Sequence, residues 1–265
     1  MEVRCEKGDA PVWQIIMGPN SQGRTVVSEA GLQTLMEILQ EAKRTPTCRV
    51  LTLEGQDGVF CEGMDLDLAS VSPETMQAGV YNFAEFLLAL RQAPQVVVGC
   101  VDGVARAGGI GIVAACDIIL ASENSSFGLP EINLGLLPAM VLPFLTERMP
   151  VQKAKRWILS GLSLDANKAR QLGLVDEVAS DTEGLYKLLR RELRQLLRAH
   201  PRAAADIKSL TLETATSPLP SALSRGAEYT ATCMTQDETI EGLKLFLAGE
   251  PLPWFTRFRP KGPTT

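Results

Sequence analysis

The chain has 265 residues, 45% of them apolar, and a formal net charge of −5 at pH 7, a composition that suits a globular protein with a real core. The longest apolar runs, Gln95–Val101 and Ile110–Ala115, are too short to span a bilayer, and the negative charge argues against general nucleic-acid binding. Six scattered cysteines with no C-x-x-C pair, a single histidine, and no basic-then-apolar leader at Met1–Arg4 predict reduced thiols, no metal site and a cytoplasmic location.

In chain order, Arg4–Asp9 and Val12–Met17 read as short strands joined by the Gly8-Asp9 turn. Ser28 caps a predicted helix to Lys43, with Leu32, Leu35, Met36 and Leu39 at helical spacing. Arg49–Leu53 is a strand closed by the turn residues Gly55-Gln56-Asp57-Gly58. A loop over Asp67–Ser72 leads to a helix from Pro73 to Arg91, whose inward stripe is Val80, Phe83, Leu87 and Leu90.

The stretch from Pro94 to Pro138 carries the densest signal. Gln95–Cys100 is β-branched and apolar on both faces, the mark of a buried parallel strand. Asp102-Gly103 turns the chain, and Ala107-Gly108-Gly109-Ile110-Gly111 opens a small-residue helix to Cys116. The first N–H groups of that helix have no partner within it and point outward, towards a ligand or another backbone. Asp117–Ala121 is a second short strand, and Phe127-Gly128-Leu129-Pro130-Glu131 then sets a carboxylate among apolar residues. A cluster of backbone donors beside an isolated acid is what enolate chemistry requires. Beyond Pro138, helices are expected near Val151–Leu159, Ala166–Leu172, Glu183–His200, Arg202–Leu212, Leu219–Cys233 and Glu238–Ala248.

These residues, D-G-V-A-R-A-G-G-I-G-I-V-A-A-C-D-I-I-L-A-S, then S-S-F-G-L-P-E-I-N-L-G-L-L-P, with V-F-C-E-G-M-D-L upstream, resemble the enoyl-CoA hydratase/isomerase (crotonase) family over nearly the whole chain. The resemblance implies an α/β fold, a spiral of ββα units with a C-terminal helical layer: a core over residues 1–200 and a helical region over 201–265. Leu174–Val178 would be the last core strand. The resemblance also implies an acyl thioester substrate held with its enolate oxygen on the N–H groups of Met64 and Gly108. Glu131 would be the acid/base, and Asp65, Leu66, Gly109 and Tyr81 would line the substrate. No cofactor is implied, and relatives assemble as trimers or hexamers.

One departure is informative. Family hydratases typically carry a second glutamate in the glycine-rich helix, and Gly111 stands there. The resemblance is strongest to dehydratases of polyketide β-branching cassettes, on AGGIG, FCEGMDL and the run Glu131–Ala139. It implies loss of water from 3-hydroxy-3-methylglutaryl on an acyl carrier protein, with the volume vacated at Gly111 open to a β-methyl branch. An enoyl-CoA isomerase or hydratase on CoA esters, or a catalytically inactive binding protein of the same fold, are the alternatives. Arg106 is placed to approach a substrate carboxylate. Arg148, Lys153, Lys155 and Arg156 form a basic cluster, either a solvated face or one able to meet an acidic carrier protein or a CoA phosphate.

Overall fold

A computed structural model describes residues 1–7, 11–65 and 72–256. The strands are β1 (Glu2–Glu6), β2 (Val12–Gly18), β3 (Val50–Gly55), β4 (Val59–Cys61), β5 (Val96–Val101), β6 (Val104–Arg106), β7 (Ile118–Ser122), β8 (Ser126–Gly128), β9 (Leu164–Asp165) and β10 (Glu177–Ala179). The helices are α1 (Glu29–Arg44), α2 (Pro73–Arg91), α3 (Gly108–Ala115), α4 (Leu142–Arg148), α5 (Val151–Ser160), α6 (Ala166–Leu172), α7 (Thr182–Leu196), α8 (Pro201–Thr216), α9 (Leu219–Met234) and α10 (Asp237–Leu247), with a 3-10 helix at Pro130–Leu134. The chain divides into two compact units, Met1–Glu192 and Leu193–Thr265.

In the first unit a six-stranded sheet runs β1-β2-β3-β5-β7-β10, antiparallel only at β1–β2. A second sheet runs β4-β6-β8-β9. Its strands are two or three residues long, too short for alternation to show in the sequence, and Val59–Cys61, Val104–Arg106 and Ser126–Gly128 stand where only turns and motif segments were expected. Leu51, Leu53, Val97 and Ile119 of the large sheet, Phe60 and Phe127 of the small one, and Phe83, Phe86, Leu87 and Leu90 of α2 are fully buried. Burying such side chains contributes about 1.5–3 kcal/mol each.

The helix ends follow local chemistry. The Ser28 hydroxyl accepts the Gly31 N–H, and the Ser72 hydroxyl accepts that of Thr75, with Pro73 at the first position of α2. The inner face of α2 differs from expectation by one residue: Phe86 is buried and Val80 is exposed, because the aromatic pair Phe83–Phe86 fills the core. The last strand also lies later than Leu174–Val178. Leu174 and Val175 donate to the Ala169 carbonyl at the end of α6, and Asp176 accepts the Ile119 N–H, so pairing with β7 begins only at Glu177.

Helix α7 is tied to the large sheet by polar contacts. Tyr186 donates to Glu54 at 3.2 Å and Thr182 donates to Asp102 at 2.6 Å. Glu54 is buried, accepts from Thr52 as well, and burial pushes its carboxyl pKa up.

The second unit holds α8, α9 and α10. His200 sits at the head of α8, where its Nδ1 accepts the Ala203 N–H. Its ring meets the edge of Trp254, and its Nε2 lies 3.2 Å from a Glu238 oxygen. This is a capping role.

Candidate active site

The two candidate donors lie on loops that touch. After β4, Gly63 adopts φ 104, a conformation open to glycine and strained for other residues. Its carbonyl accepts the Val27 N–H at 2.7 Å, and the Asp65 N–H donates to the Val27 carbonyl at 3.0 Å. This Val27–Met64 bridge occupies the groups on either side of Met64 and turns the Met64 N–H to the opposite side, where it donates to no described backbone acceptor.

Facing it, Ala107 holds φ 49 and ψ −123, a left-handed value rare outside glycine and worth about 1–3 kcal/mol of stored strain. The Ala107 N–H is fixed to the Gly128 carbonyl at 2.9 Å, and Gly108 opens α3 with its own N–H unpaired among the described residues. A Cβ on Gly63 would stand 3.2 Å from the Gly108 nitrogen and 2.8 Å from the Ala107 Cβ. Two outward N–H groups on abutting loops can hold one oxyanion.

Glu131 is delivered by the small sheet. β6 and β8 pair with Arg106 opposite Gly128, so the strand that fixes Ala107 runs within three residues into Leu129, Pro130 and Glu131. Pro130 starts the 3-10 helix, and the Asn133 side chain lies against Gly161 at the end of α5. The Glu131 carboxylate is half-buried, and its Oε2 is shielded from solvent with no partner among the described residues. Burial raises its pKa, opposed in part by a hydrogen bond from its own backbone N–H. A partly desolvated carboxylate with one unpartnered oxygen is poised to take up and release a proton.

The remaining expectations are placed as follows. Gly109 is buried, and a Cβ there would lie 2.2 Å from the Cys61 carbonyl oxygen, so this position serves the packing of α3 onto β4. Tyr81 is 63% exposed on α2, and Asp65 is also exposed. Leu66 lies outside the described residues.

The space expected at Gly111 is not vacant. A Cβ there would meet Leu87 Cδ1 at 3.1 Å and Val141 Cγ2 at 3.3 Å, so two apolar side chains occupy it and no β-methyl pocket exists at that position. Arg148 likewise leaves the basic cluster: it bonds the Cys116 carbonyl and Asp176 at the base of the sheet. Phe83, whose ring edge is 3.2 Å from a Gly108 Cβ position, and Leu87 and Val141 are site residues that the sequence reading passed over. Phe83 and Leu87 were visible as an i, i+4 pair, but that spacing signals core and not neighbourhood to a donor.

The two sheets, the abutting loops at Met64 and Gly108 and the acid at Glu131 make up an α/β candidate site. The sequence pattern of the enoyl-CoA hydratase/isomerase family matches residues 25–257, and the chain belongs to that family. The bacillaene synthase dehydratase PksH of Bacillus subtilis is 31% identical over 241 residues, 88% of this chain and 89% of that one. The enoyl-CoA isomerase/hydratase fer4 of Mycosarcoma maydis is 31% identical over 71% of this chain and 72% of its own. Among solved structures, AtuE of Pseudomonas aeruginosa superposes with a TM-score of 0.90 at 31% identity, covering 96% of this chain and 99% of that one. An enoyl-CoA hydratase/isomerase from Marinobacter aquaeolei gives 0.88 at 27% identity, again over 96% and 99%. The fold is therefore the crotonase fold, and the activity class is that of enoyl-CoA hydratase-like enzymes. No helix among the described residues is long and apolar enough to cross a membrane.

Proposed function

We propose that the chain is a dehydratase of a branched 3-hydroxyacyl thioester, converting 3-hydroxy-3-methylglutaryl on an acyl carrier protein to the 3-methylglutaconyl thioester. The observation that carries this reading is the pairing of Glu131, a half-buried carboxylate with one unpartnered oxygen, with apolar side chains, Leu87 and Val141, at Gly111. The likeness to a polyketide synthase dehydratase supports it.

In this mechanism Glu131 removes the proton from C2 of the acyl chain. The Met64 and Gly108 N–H groups hold the enolate oxygen, and each such donor is worth roughly 3 kcal/mol in an oxyanion hole. The electron pair then returns to form the C2–C3 double bond as the C3–O bond breaks. Glu131, now protonated, gives its proton to the departing hydroxyl, and water leaves. A tertiary C3 favours this step because the new alkene is more substituted and positive charge at C3 is better tolerated. With Leu87 and Val141 beside it, Gly111 supplies no second carboxylate to hold a water for attack on an unbranched enoyl chain. Burial raises the Glu131 pKa and so makes it a stronger base.

The same reading includes assembly as a homotrimer or hexamer in a reducing, cytoplasmic compartment. The exposed Leu219, Leu223, Met234, Leu243, Phe246 and Leu247 of the C-terminal unit, and six free thiols, support these parts. Light scattering should give about three or six times the chain mass of 28.7 kDa, and a monomer would contradict it. For the reaction, the test is a side-by-side assay. The carrier-bound branched substrate is followed by mass spectrometry of the product, and crotonyl-CoA by loss of enoyl absorbance. Crotonyl-CoA hydration equal to or faster than branched dehydration would replace the reading with the hydratase/isomerase one.

A further inference from the structure

On a chain of net charge −5, residues 150–175 carry five cations, Lys153, Lys155, Arg156, Lys168 and Arg170, against one carboxylate, Asp165. All five are exposed, and none forms an ion pair with a described residue. The nearby acids are otherwise engaged: Asp165 caps α6 by accepting the Lys168 N–H at 2.7 Å, and Glu147 of α4 accepts from Arg91 at 3.1 Å.

Helix α5 buries Ala154 and Trp157, so at about 100° per residue its outward arc is centred on Leu159 and Gln152, with Lys155 and Arg156 on its two flanks and Lys153 at the edge beyond Arg156. Leu159 is 62% exposed and Leu162, just beyond the helix, 66%. An apolar centre ringed by unpaired cations is the pattern of a docking face.

The position of this segment ties it to the reaction. α5 packs on the 3-10 helix that bears Glu131, and α6 packs on β8, which leads into it. We infer that the outward face of α5, extended by α6, docks an acidic acyl carrier protein beside the site, with Lys153, Lys155 and Arg156 meeting its carboxylates and Leu159 its apolar contact. This rests on the carrier-bound substrate proposed above. A carrier protein offers a partner of the required chemistry: a small acidic helical domain that brings its thioester on a flexible arm.

The test uses the full chain and the variant Lys153→Glu/Lys155→Glu/Arg156→Glu. Two substrates are compared, 3-hydroxy-3-methylglutaryl on a holo-acyl carrier protein and the same acyl group on free pantetheine. The expected result is a fall of at least about tenfold in kcat/KM for the carrier-bound substrate, through KM, with pantetheine turnover unchanged. The wild-type carrier reaction should also slow with added salt, and the variant should lose that dependence. An unchanged carrier reaction, or an equal fall for both substrates, overturns the inference. If the wild type turns over neither thioester, the dehydratase reading fails, and binding of the apo-carrier by fluorescence anisotropy decides the docking face. Binding about tenfold weaker in the variant upholds it; equal binding, or none to the wild type, overturns it.

Discussion

Gly109→Ala tests whether the spacing of the two donor loops matters. The added methyl would lie 2.2 Å from the Cys61 oxygen, 2.9 Å from its carbonyl carbon and 3.0 Å from its Cβ. Non-bonded carbon contacts rest near 3.5–4.0 Å, so α3 and the end of β4 must part by roughly 1 Å. The obstacle is backbone, which cannot swing aside as a side-chain end can.

Overpacking of this kind costs about 1–3 kcal/mol, and at about 2–4 °C per kcal/mol for a unit of this size the melting temperature falls by about 2–12 °C. Cys61 is three residues before Met64, and Gly109 follows Gly108 directly. Parting the loops therefore pulls the two N–H groups off a shared oxygen, and a displacement near 1 Å can cost about 100-fold in rate. Gly111→Ala is the control, because its methyl meets only side-chain ends, Leu87 Cδ1 at 3.1 Å and Val141 Cγ2 at 3.3 Å, and no backbone, and alanine favours a helix interior by about 1 kcal/mol. Melting and steady-state turnover of both variants, measured together, give the answer. A Gly109→Ala enzyme as stable and active as the wild type, or one less affected than Gly111→Ala, would refute the argument from loop spacing.

Two further predictions concern protons. Glu131 must be ionised to take the C2 proton and its pKa is raised by burial, so kcat/KM should fall as pH drops through a value above the ordinary carboxylate pKa of about 4.3; an acid limb at or below that value in a pH–rate profile contradicts it. Glu54 also has a folded-state pKa above its unfolded value, so the stability of the wild type relative to Glu54→Gln should be greatest below the ordinary carboxylate pKa and be lost as pH rises through the folded one. Urea unfolding across that range checks the sign, and a difference independent of pH would show that Glu54 does not titrate in its buried site.

Much of this architecture was legible in the residues. Ser28 announces its helix by capping chemistry, Pro73 marks the start of the next, and Gln95–Cys100 announces a buried strand by its apolar run. Glu131 and the loops at Met64 and Gly108 were legible as motifs, since each belongs to a short run of neighbouring residues. Less accessible were features set by tertiary neighbours. The two- and three-residue strands of the small sheet have no periodicity to read, and Asp176 delays β10 through bonds to residues far off in the chain. Whether Gly111 leaves a pocket or a filled space depends on Leu87 and Val141, which come from α2 and the loop before α4. Arg148 reads as one of a basic run, yet a buried carbonyl and Asp176 claim it.

Glu131→Gln addresses the central claim, that one half-buried carboxylate carries the proton both ways. The amide keeps the size and most packing of the side chain but cannot accept the C2 proton. The measurement is turnover of the branched 3-hydroxyacyl thioester together with exchange of its C2 hydrogen into deuterated water, on a variant whose circular dichroism and assembly match the wild type. The expected result is a loss of about 10²–10⁴-fold in both turnover and exchange. Turnover within tenfold of the wild type, or exchange that persists at the wild-type rate, would place the base elsewhere in the chain.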